Sequence, residues 1–210
     1  MTAMRMTNHK LTNYQNSVTK KAILKQEIIT VAGKIFDTFG FRKTTMGDIA
    51  DGIKKRKSSI YYYFKSKEEI FQSVVLQEAK EFRRAIIKAI EQEKSPHNKL
   101  KAYVVTRMNI IDSLGNFNTA LQDKRLMHID FVMRLKNLYD EEEIRLFKNI
   151  LLEGVEKNAF QIYDIELAAT SFITAMRGME STILQNKDAP DIDKQIEAII
   201  DIIFYGIVKR

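Results

Sequence analysis

The sequence predicts an all-α fold, and three observations lead to that prediction. Apolar residues recur at spacings of three and four from about residue 20 almost to the end of the chain, as they do on one face of a helix. No stretch alternates apolar and polar side chains in the manner of a strand, and no segment is repeated. The breaks between the periodic stretches are short, which favours helices packed directly against one another.

The composition excludes several classes of protein. Cysteine is absent, so disulfides and thiolate metal sites are ruled out, and a reducing compartment is the expected location. No apolar run approaches the roughly 20 residues that a membrane-spanning helix requires, and the first residues lack the apolar core of a secretion signal. With 45% apolar and 29% charged residues, a soluble cytoplasmic protein is expected.

The first third of the chain predicts an arm followed by four helices. Residues 1–18 are polar and aperiodic, so a flexible N-terminal arm is expected there. The first helix is predicted to run from about Lys20 to Phe39, with Gly40 as its C-terminal stop. The next three predicted helices lie at 45–52, 58–64 and 67–93.

The remaining two thirds predict five more helices. Ser95-Pro96 restarts the chain, and the periodic stretches lie near 97–113, 118–138, 140–158, 164–186 and 191–208. The breaks fall at Gly115-Asn116, Asp140, Asn158-Ala159 and Lys187-Asp188-Ala189-Pro190. We interpret the acidic run Asp140–Glu143 as a helix start, where negative charge stabilises a helix by about 0.3–1 kcal/mol.

The two short helices and their connection have the pattern of a helix-turn-helix. Ile49 and Ala50 of the first short helix are expected to face inward, as are Ile60 and Phe64 of the second, which are four residues apart. Four consecutive cations stand between the two helices: Lys54, Lys55, Arg56 and Lys57. In a helix-turn-helix the second helix enters the major groove and presents its N-terminal residues to the bases.

This region resembles the DNA-binding domain of the TetR family of bacterial transcriptional repressors. The matching pieces are FDTFGFRKTT at 36–45, TTM and DIA within 44–50, and IYYYFKSKEEIF at 60–71, with no insertion or deletion between them. The resemblance covers residues 20–71, about a quarter of the chain. It implies a three-helix DNA-binding domain at 19–66 and a helical ligand-binding and dimerisation domain at 67–210, preceded by the arm at 1–18.

The resemblance assigns roles to residues by their position in the motif. Lys57, Ser58, Ser59 and Tyr61 are candidates for base contact, while Thr45, Tyr63, Lys65 and Lys67 are candidates for phosphate contact. Tyr62 is assigned to the core. The chain departs from the family at Ile53, Lys54 and Lys55, where a small apolar residue, glycine and valine are usual. Lysine suits such a turn less well than glycine if a positive φ is required, and Lys55 is itself a candidate backbone contact.

The distribution of charge agrees with a DNA-binding head. Residues 1–67 contain 14 Lys and Arg against 4 Asp and Glu, a balance of +10, whereas residues 68–210 have a balance of −3. A basic domain joined to a nearly neutral one is expected of a protein that neutralises phosphates with one domain. The alternative is a solvated, lysine-rich surface without a partner.

The second domain of TetR-like proteins encloses an effector pocket, and the resemblance implies one here. Its candidate lining consists of adaptable apolar side chains and of cations that could receive an anionic head group: Met108, Phe117, Met127, Phe131, Phe147, Phe172 and Met176, with Arg107, His128, Arg134 and Arg177. The alternative for each apolar residue is ordinary core packing. Arg177 is a candidate only for binding the head group, and the other ten residues are the predicted pocket lining.

Two C-terminal helices are candidates for a homodimer interface. A row of small residues allows another backbone to approach closely: Ala168, Ser171, Ala175, Gly178 and Thr182. The last predicted helix is apolar almost all round, which favours burial on more than one side; its interface candidates are Ile196, Ile200, Ile203 and Ile207. The alternative is that both helices are the core of a monomer.

The sequence therefore predicts a homodimeric transcriptional regulator, most simply a repressor released from a two-half-site DNA operator by a small apolar effector. No motif for a nucleophile, a phosphate loop or a metal site is found, so neither catalysis nor a cofactor is expected. One alternative is a TetR-like DNA-organising or division-control protein without a small-molecule inducer. Another is a helical scaffold whose basic head binds a different anionic partner.

Overall fold

The computed structural model describes the backbone of residues 2–111, 114–123, 126, 130–185, 194, 198 and 200–202, and within these ranges it contains eight α-helices and no strand. The helices are α1 Thr2–Phe39, α2 Met46–Gly52, α3 Lys57–Tyr61, α4 Lys67–Glu91, α5 Pro96–Ile111, α6 Gly115–Gln122, α7 Asp130–Glu156 and α8 Ile165–Gln185. The prediction of an all-α fold is confirmed. The chain divides into two compact units, Met1–Gln77 and Glu78–Arg210.

The structure differs from the predicted elements in three places. The single helix predicted near 118–138 is interrupted, since α6 ends at Gln122, Asp123 is extended, and α7 begins at Asp130. Residues 2–18, predicted as an arm, continue α1, because no proline or glycine interrupts the chain before Gly33. The break predicted at Asp140 is wrong, since α7 runs through it without interruption. The predicted last helix lies largely outside the described residues, of which 194, 198 and 200–202 are helical.

The first unit is built around one buried stripe of α1. Ile28, Ala32 and Phe36 follow one another at four-residue spacing and are buried. The ring of Phe36 lies 5.8 Å from that of Phe41 and 5.4 Å from that of Phe71, while the latter two rings are 4.7 Å apart. This aromatic cluster joins the end of α1 to the beginning of α4, with the remaining core contributed by Met46, Ile49, Ala50, Ile53, Ile60, Phe64, Ile70, Val74 and Val75.

The second unit is held together by stacked aromatic rings. Phe147 of α7 and Phe172 of α8 stack with centroids 4.3 Å apart and planes inclined by 9°. Tyr103 of α5 is fully buried, and its ring lies 5.1 Å from that of Phe147. These contacts bring α5, α7 and α8 together, as is typical of helix-on-helix cores. No described helix combines the length and hydropathy that crossing a bilayer requires.

Candidate DNA-binding surface and ligand cavity

A capping box fixes the start of α2. The Thr45 hydroxyl accepts the N–H of Asp48 at 3.2 Å, and the Asp48 carboxylate accepts the N–H of Thr45 at 2.7 Å. The Thr45 hydroxyl also donates to the Asp48 carboxylate, at 2.9 Å. The hydrogen bond from the Thr45 backbone first, and then this one from its side chain, hold the pKa of Asp48 below its usual range. Thr45 therefore positions α2, and the phosphate contact predicted for it stays a prediction.

The turn between α2 and α3 is a Schellman motif with a lysine where glycine is favoured. Lys54 has φ +55°, and its N–H donates to the Asp51 carbonyl at 3.0 Å. The next N–H, that of Lys55, donates to the Ala50 carbonyl at 2.9 Å. The positive φ considered for this turn is thus present at Lys54, and residues with a side chain adopt this backbone conformation less easily than glycine does.

The turn and α3 present a continuous exposed cationic surface. It consists of Lys54, Lys55, Arg56, Lys57 and Ser58, all of them exposed, with Ser59 half-buried beside them. No described carboxylate forms an ion pair with any of these four cations. Tyr61 is 49% exposed, while Ile60 and Phe64 are buried and anchor the helix. The structure therefore brings the predicted base-contacting residues together, and it adds Arg56, which the motif had not singled out.

Tyr62 corrects one of our assignments. The sequence assigns it to the core, but the residue is 68% exposed. Because α3 ends at Tyr61 and the chain then turns, Ile60 and Phe64 occupy the interior instead. The ring of Tyr62 lies 5.0 Å from that of Tyr63, and the ammonium of Lys21 lies 4.8 Å from its centroid. A surface tyrosine bordered by a lysine on α1 belongs to the candidate DNA-binding surface.

Lys67 has a different position from the one predicted. Its ammonium donates to the carbonyls of Phe41 and Thr44, both at 2.8 Å, and lies 4.4 Å from the Phe41 ring centroid. These contacts commit its donors to the segment that precedes α2. The side chain therefore supports the helix-turn-helix from behind, and Lys65, which is exposed, is the better candidate for a phosphate contact.

A cavity of about 150 Å³ lies in the second unit between α4, α5 and α7. Its walls are apolar and aromatic, with charged side chains among them: Phe82, Arg83, Ile86, Ile87, Tyr103, Tyr139, Glu142, Glu143, Arg145, Leu146 and Asn149. None of the eight predicted pocket residues that the structure describes lines it. Burial raises the pKa of Tyr139, and the neighbouring Glu142 raises it further, so this phenol stays protonated at neutral pH.

The predicted pocket residues have other positions. Met108, Phe117, Phe147 and Met176 are buried core residues, Phe131 and Phe172 are half-buried, and Arg134 is exposed. Met127 and His128 lie outside the described residues. For the buried residues the structure favours the alternative of ordinary core packing. Methionine and phenylalanine at helical spacing carry no signal that separates a core from a pocket lining, which explains the difference.

Asp140 and Glu143 of the acidic run of α7 belong to a partly buried ionic cluster. Glu143 pairs with Arg107, which is almost fully buried, and accepts a hydrogen bond from Tyr103 Oη at 2.9 Å. Arg177 of α8 lies 3.1 Å from Glu143 and 2.7 Å from Asp140. The run is therefore the middle of a helix and not its start. The two arginines that were expected to receive an anionic head group have carboxylates of the protein as partners.

The small-residue row of α8 lies largely on an exposed face. Ser171, Ala175 and Gly178 are exposed, and Ala168 is half-buried. The opposite face is buried through Ala169, Ile173 and Met176, and Leu167 beside the row is 64% exposed. Of the other predicted interface residues, Ile200 is buried, and the side chains of Thr182, Ile196, Ile203 and Ile207 lie outside the described residues.

The fold and this surface define a helix-turn-helix DNA-binding protein with a second, helical unit. The family model for bacterial regulatory proteins of the tetR family matches residues 28–74. This match confirms the resemblance to the TetR family of transcriptional regulators over the helix-turn-helix region. The relatives of this chain are regulators of transcription and not enzymes, which confirms the prediction that catalysis is not its function.

Two relatives and one solved structure illustrate the similarity. The HTH-type transcriptional regulator YhgD of Bacillus subtilis (strain 168) is 23% identical over 171 residues, 81% of this chain and 88% of that protein. The transcriptional repressor KstR2 of Mycolicibacterium smegmatis is 27% identical over 142 residues, 65% and 67% of the two chains. A Saccharomonospora viridis regulator solved with choline superposes with a TM-score of 0.81 at 17% identity, covering 90% of this chain and 100% of that one. The last similarity concerns the fold alone.

Proposed function

We propose that this regulator is a repressor that binds an operator with two half-sites as a homodimer and is released by a small apolar effector. In this proposal residues 19–66 form the DNA-binding domain, and residues 67–210 form the effector-binding and dimerisation domain. Similarity to the KstR2 repressor supports repression as the mode of action. The observation that carries the proposal is the exposed cationic and aromatic surface of the turn and α3.

The DNA contacts divide into two groups. Lys57, Ser58, Ser59 and Tyr61 read base edges from the first turn of α3, where lysine can donate to guanine O6 and N7 and serine to several bases. A second group holds phosphates and so supplies affinity and register: Lys55, Arg56, Tyr62, Tyr63 and Lys65. Thr45 and Lys67 act mainly by holding α2 in place, which their hydrogen bonds support.

Dimerisation uses the exposed small residues of α8 together with the last helix. Small side chains let a partner helix approach to the short end of the usual range of about 8–10 Å between axes. Ser171, Ala175 and Gly178 are exposed on one face of α8, and a Cβ added to Gly178 would meet nothing within 4 Å. A two-fold dimer places its recognition helices about one DNA turn, 34–36 Å, apart, so the operator would carry two related half-sites.

The effector acts by preferring the conformation that does not bind DNA. A ligand shifts an equilibrium only by its difference in affinity for the two states, and a shift from 1:99 to 99:1 takes a difference of about 10⁴-fold. The cavity between α4, α5 and α7 is the candidate effector site, because its walls are mainly apolar and aromatic.

A gel shift tests the proposal. The full chain is titrated onto the DNA upstream of its own gene and onto a scrambled fragment, near physiological salt. We expect nanomolar affinity for the upstream fragment alone, and at least a tenfold loss for Tyr61→Ala and Lys57→Ala, since a good base contact is worth about 1–3 kcal/mol. Lys101→Ala, an exposed lysine of α5, is the matched control.

The outcomes separate the alternatives. Specific binding that no ligand releases, together with many sites mapped across the genome, would favour the DNA-organising protein without an inducer. Equal and weak binding to both fragments, with a salt dependence that no single substitution changes, would contradict a specific regulator and favour a basic scaffold.

A further inference from the structure

We propose that the cavity between α4, α5 and α7 selects small ligands that combine an apolar or aromatic body with a carboxylate, the body inside and the carboxylate at the entrance. This inference names the effector class and therefore rests on the proposed ligand response. It moves the anion-binding role away from Arg107 and Arg177 to two arginines at the edge of the cavity, Arg83 and Arg145.

The size of the cavity limits the part of the ligand that it can enclose. About 150 Å³ is the volume of an apolar protein cavity that holds one benzene ring. A single aromatic ring or a short alkyl chain therefore fills it, whereas a larger ligand would have to extend beyond it. The walls suit such a body, because Phe82 and Ile86 are buried and Leu146 is half-buried among them.

Two polar groups of the cavity lining, the Tyr103 hydroxyl and the Glu143 carboxylate, already have partners in the protein. Tyr103 donates its hydroxyl proton to Glu143 at 2.9 Å and accepts from Arg107 at 3.2 Å. Glu143 also accepts from Arg177 at 3.1 Å. A charged ligand group placed here would have to displace these partners and lose its own hydration, which is costly in a buried site. The interior therefore favours the apolar end of a ligand.

The entrance carries an excess of positive charge. The Arg83 side chain is 56% exposed and lies 3.5 Å from Glu142, a loose, solvated pair. Arg145 lines the cavity and is exposed, and no described residue forms an ion pair with it. The lining also contains Glu143, but that carboxylate is paired with Arg107 and Arg177. Two guanidinium groups then stand against one carboxylate, Glu142, and they attract an anion and repel a cation. A guanidinium can bind a carboxylate through two parallel hydrogen bonds, so a carboxylate fits this position.

Calorimetric titration of the full chain with three ligands of one shape tests the inference. The probes are phenylacetate, its neutral amide phenylacetamide, and the cation phenethylamine. We expect phenylacetate to bind about three- to tenfold more tightly than the amide, with the amine weakest, because a solvated ion pair contributes modestly. The preference should decrease at high salt.

Two variants locate the effect. Arg145→Met should abolish most of the preference for phenylacetate over its amide, whereas Arg84→Met, an exposed arginine of α4 that does not line the cavity, should leave it intact. Leu146→Trp should weaken all three probes by filling the cavity. Thermal unfolding establishes that each variant is folded. If Leu146→Trp is not folded, the comparison of Arg145→Met with Arg84→Met tests the inference on its own.

The possible results are distinguishable from failure of the proposed function. Equal affinity for the acid and the amide, a preference for the amine, or no binding of phenylacetate at millimolar concentration would overturn the inference. Operator release is measured separately by gel shift. Acid-selective binding without release of DNA would support the site while contradicting the ligand response. Release of DNA by a neutral compound, without binding of phenylacetate, would support the ligand response while contradicting the carboxylate-selective site.

Discussion

Replacing Lys54 by glycine should stabilise the protein, because the residue has a backbone conformation that glycine adopts more easily. Lys54 has φ +55° at the position that follows the C-terminal end of α2, and the hydrogen bonds of the motif use only backbone atoms. The side chain is exposed, so its removal leaves no cavity. The substitution therefore changes the backbone energy and one surface charge, and little else.

Two opposing effects set the magnitude. An L residue in the left-handed region costs about 1–2 kcal/mol, which glycine does not incur. Glycine, however, loses more conformational entropy on folding, roughly 0.5–1 kcal/mol relative to alanine. The difference is a gain of about 0.5–1 kcal/mol in the free energy of unfolding. Relief of repulsion with the adjacent cations Lys55, Arg56 and Lys57 adds to it at low salt.

Urea unfolding followed by circular dichroism measures this gain, at one protomer concentration because the proposed dimer would make stability depend on concentration. With a slope of about 1–3 kcal/mol per molar urea, the midpoint should rise by a few tenths molar. Lys55→Gly is the matched control: Lys55 is also exposed but has no positive φ, so its midpoint should fall slightly. A midpoint for Lys54→Gly that is unchanged or lower than wild type would refute the reasoning.

Four further outcomes are expected. Gly154→Ala should lower the free energy of unfolding by about 1–3 kcal/mol, since the added Cβ would overlap the Phe160 ring. Glu143→Gln should lower it by about 3 kcal/mol, because it removes the charge from a partly buried ionic cluster. Asp48 has a lowered pKa in the folded state, so its contribution to the free energy of unfolding is present above about pH 4 and is lost as the pH falls through the lowered pKa. Asp48→Asn should therefore make the free energy of unfolding depend less on pH in this range. Lys55→Val should leave folding intact and weaken DNA binding, lowering the salt slope by about one.

The first three of these variants have controls that the structure supplies. Gly47→Ala adds a Cβ in ordinary contact on α2, Glu141→Gln changes an exposed carboxylate beside the cluster, and Asp51→Asn changes a second exposed aspartate of α2. Thermal and acid unfolding should show small effects for all three. If the controls destabilise as much as the tests, the local explanations are wrong. If Lys55→Val leaves the affinity for DNA unchanged and raises the free energy of unfolding, Lys55 makes no DNA contact and only destabilises the fold.

Local signals predicted the end of α1 and the start of α2, because each of these two boundaries depends on neighbouring residues. Gly40 ends α1 with φ +80°, and Thr45 begins α2 with its capping box, as short-range chemistry dictates. The acidic run of α7 misled the prediction for the opposite reason. Carboxylates in succession resemble a helix start, yet their partners, Arg107 and Arg177, lie more than 30 residues away along the chain. Periodicity contains no information about such pairs.

The candidate DNA-binding surface was predictable from the motif, apart from residues whose role depends on packing. Lys57, Ser58 and Tyr61 lie where the resemblance implied. Lys67 does not, because the carbonyls that bind its ammonium belong to a segment more than 20 residues earlier. Tyr62 differs because α3 ends one residue before it, and helix ends are among the least predictable features of a sequence.

The cations of the two units have opposite roles, and this difference explains why the pocket was the hardest feature to predict. On the turn and α3 the cations are exposed, with no ion-pair partner among the described carboxylates, so their charge is available to phosphates. In the second unit Arg107 and Arg177 are neutralised by Glu143 and Asp140, so the same residue type serves packing. The same type of side chain is thus exposed and available in one unit and part of a structural ion pair in the other. Arg145, which lines the cavity and forms no ion pair with a described residue, retains a charge that a ligand can use.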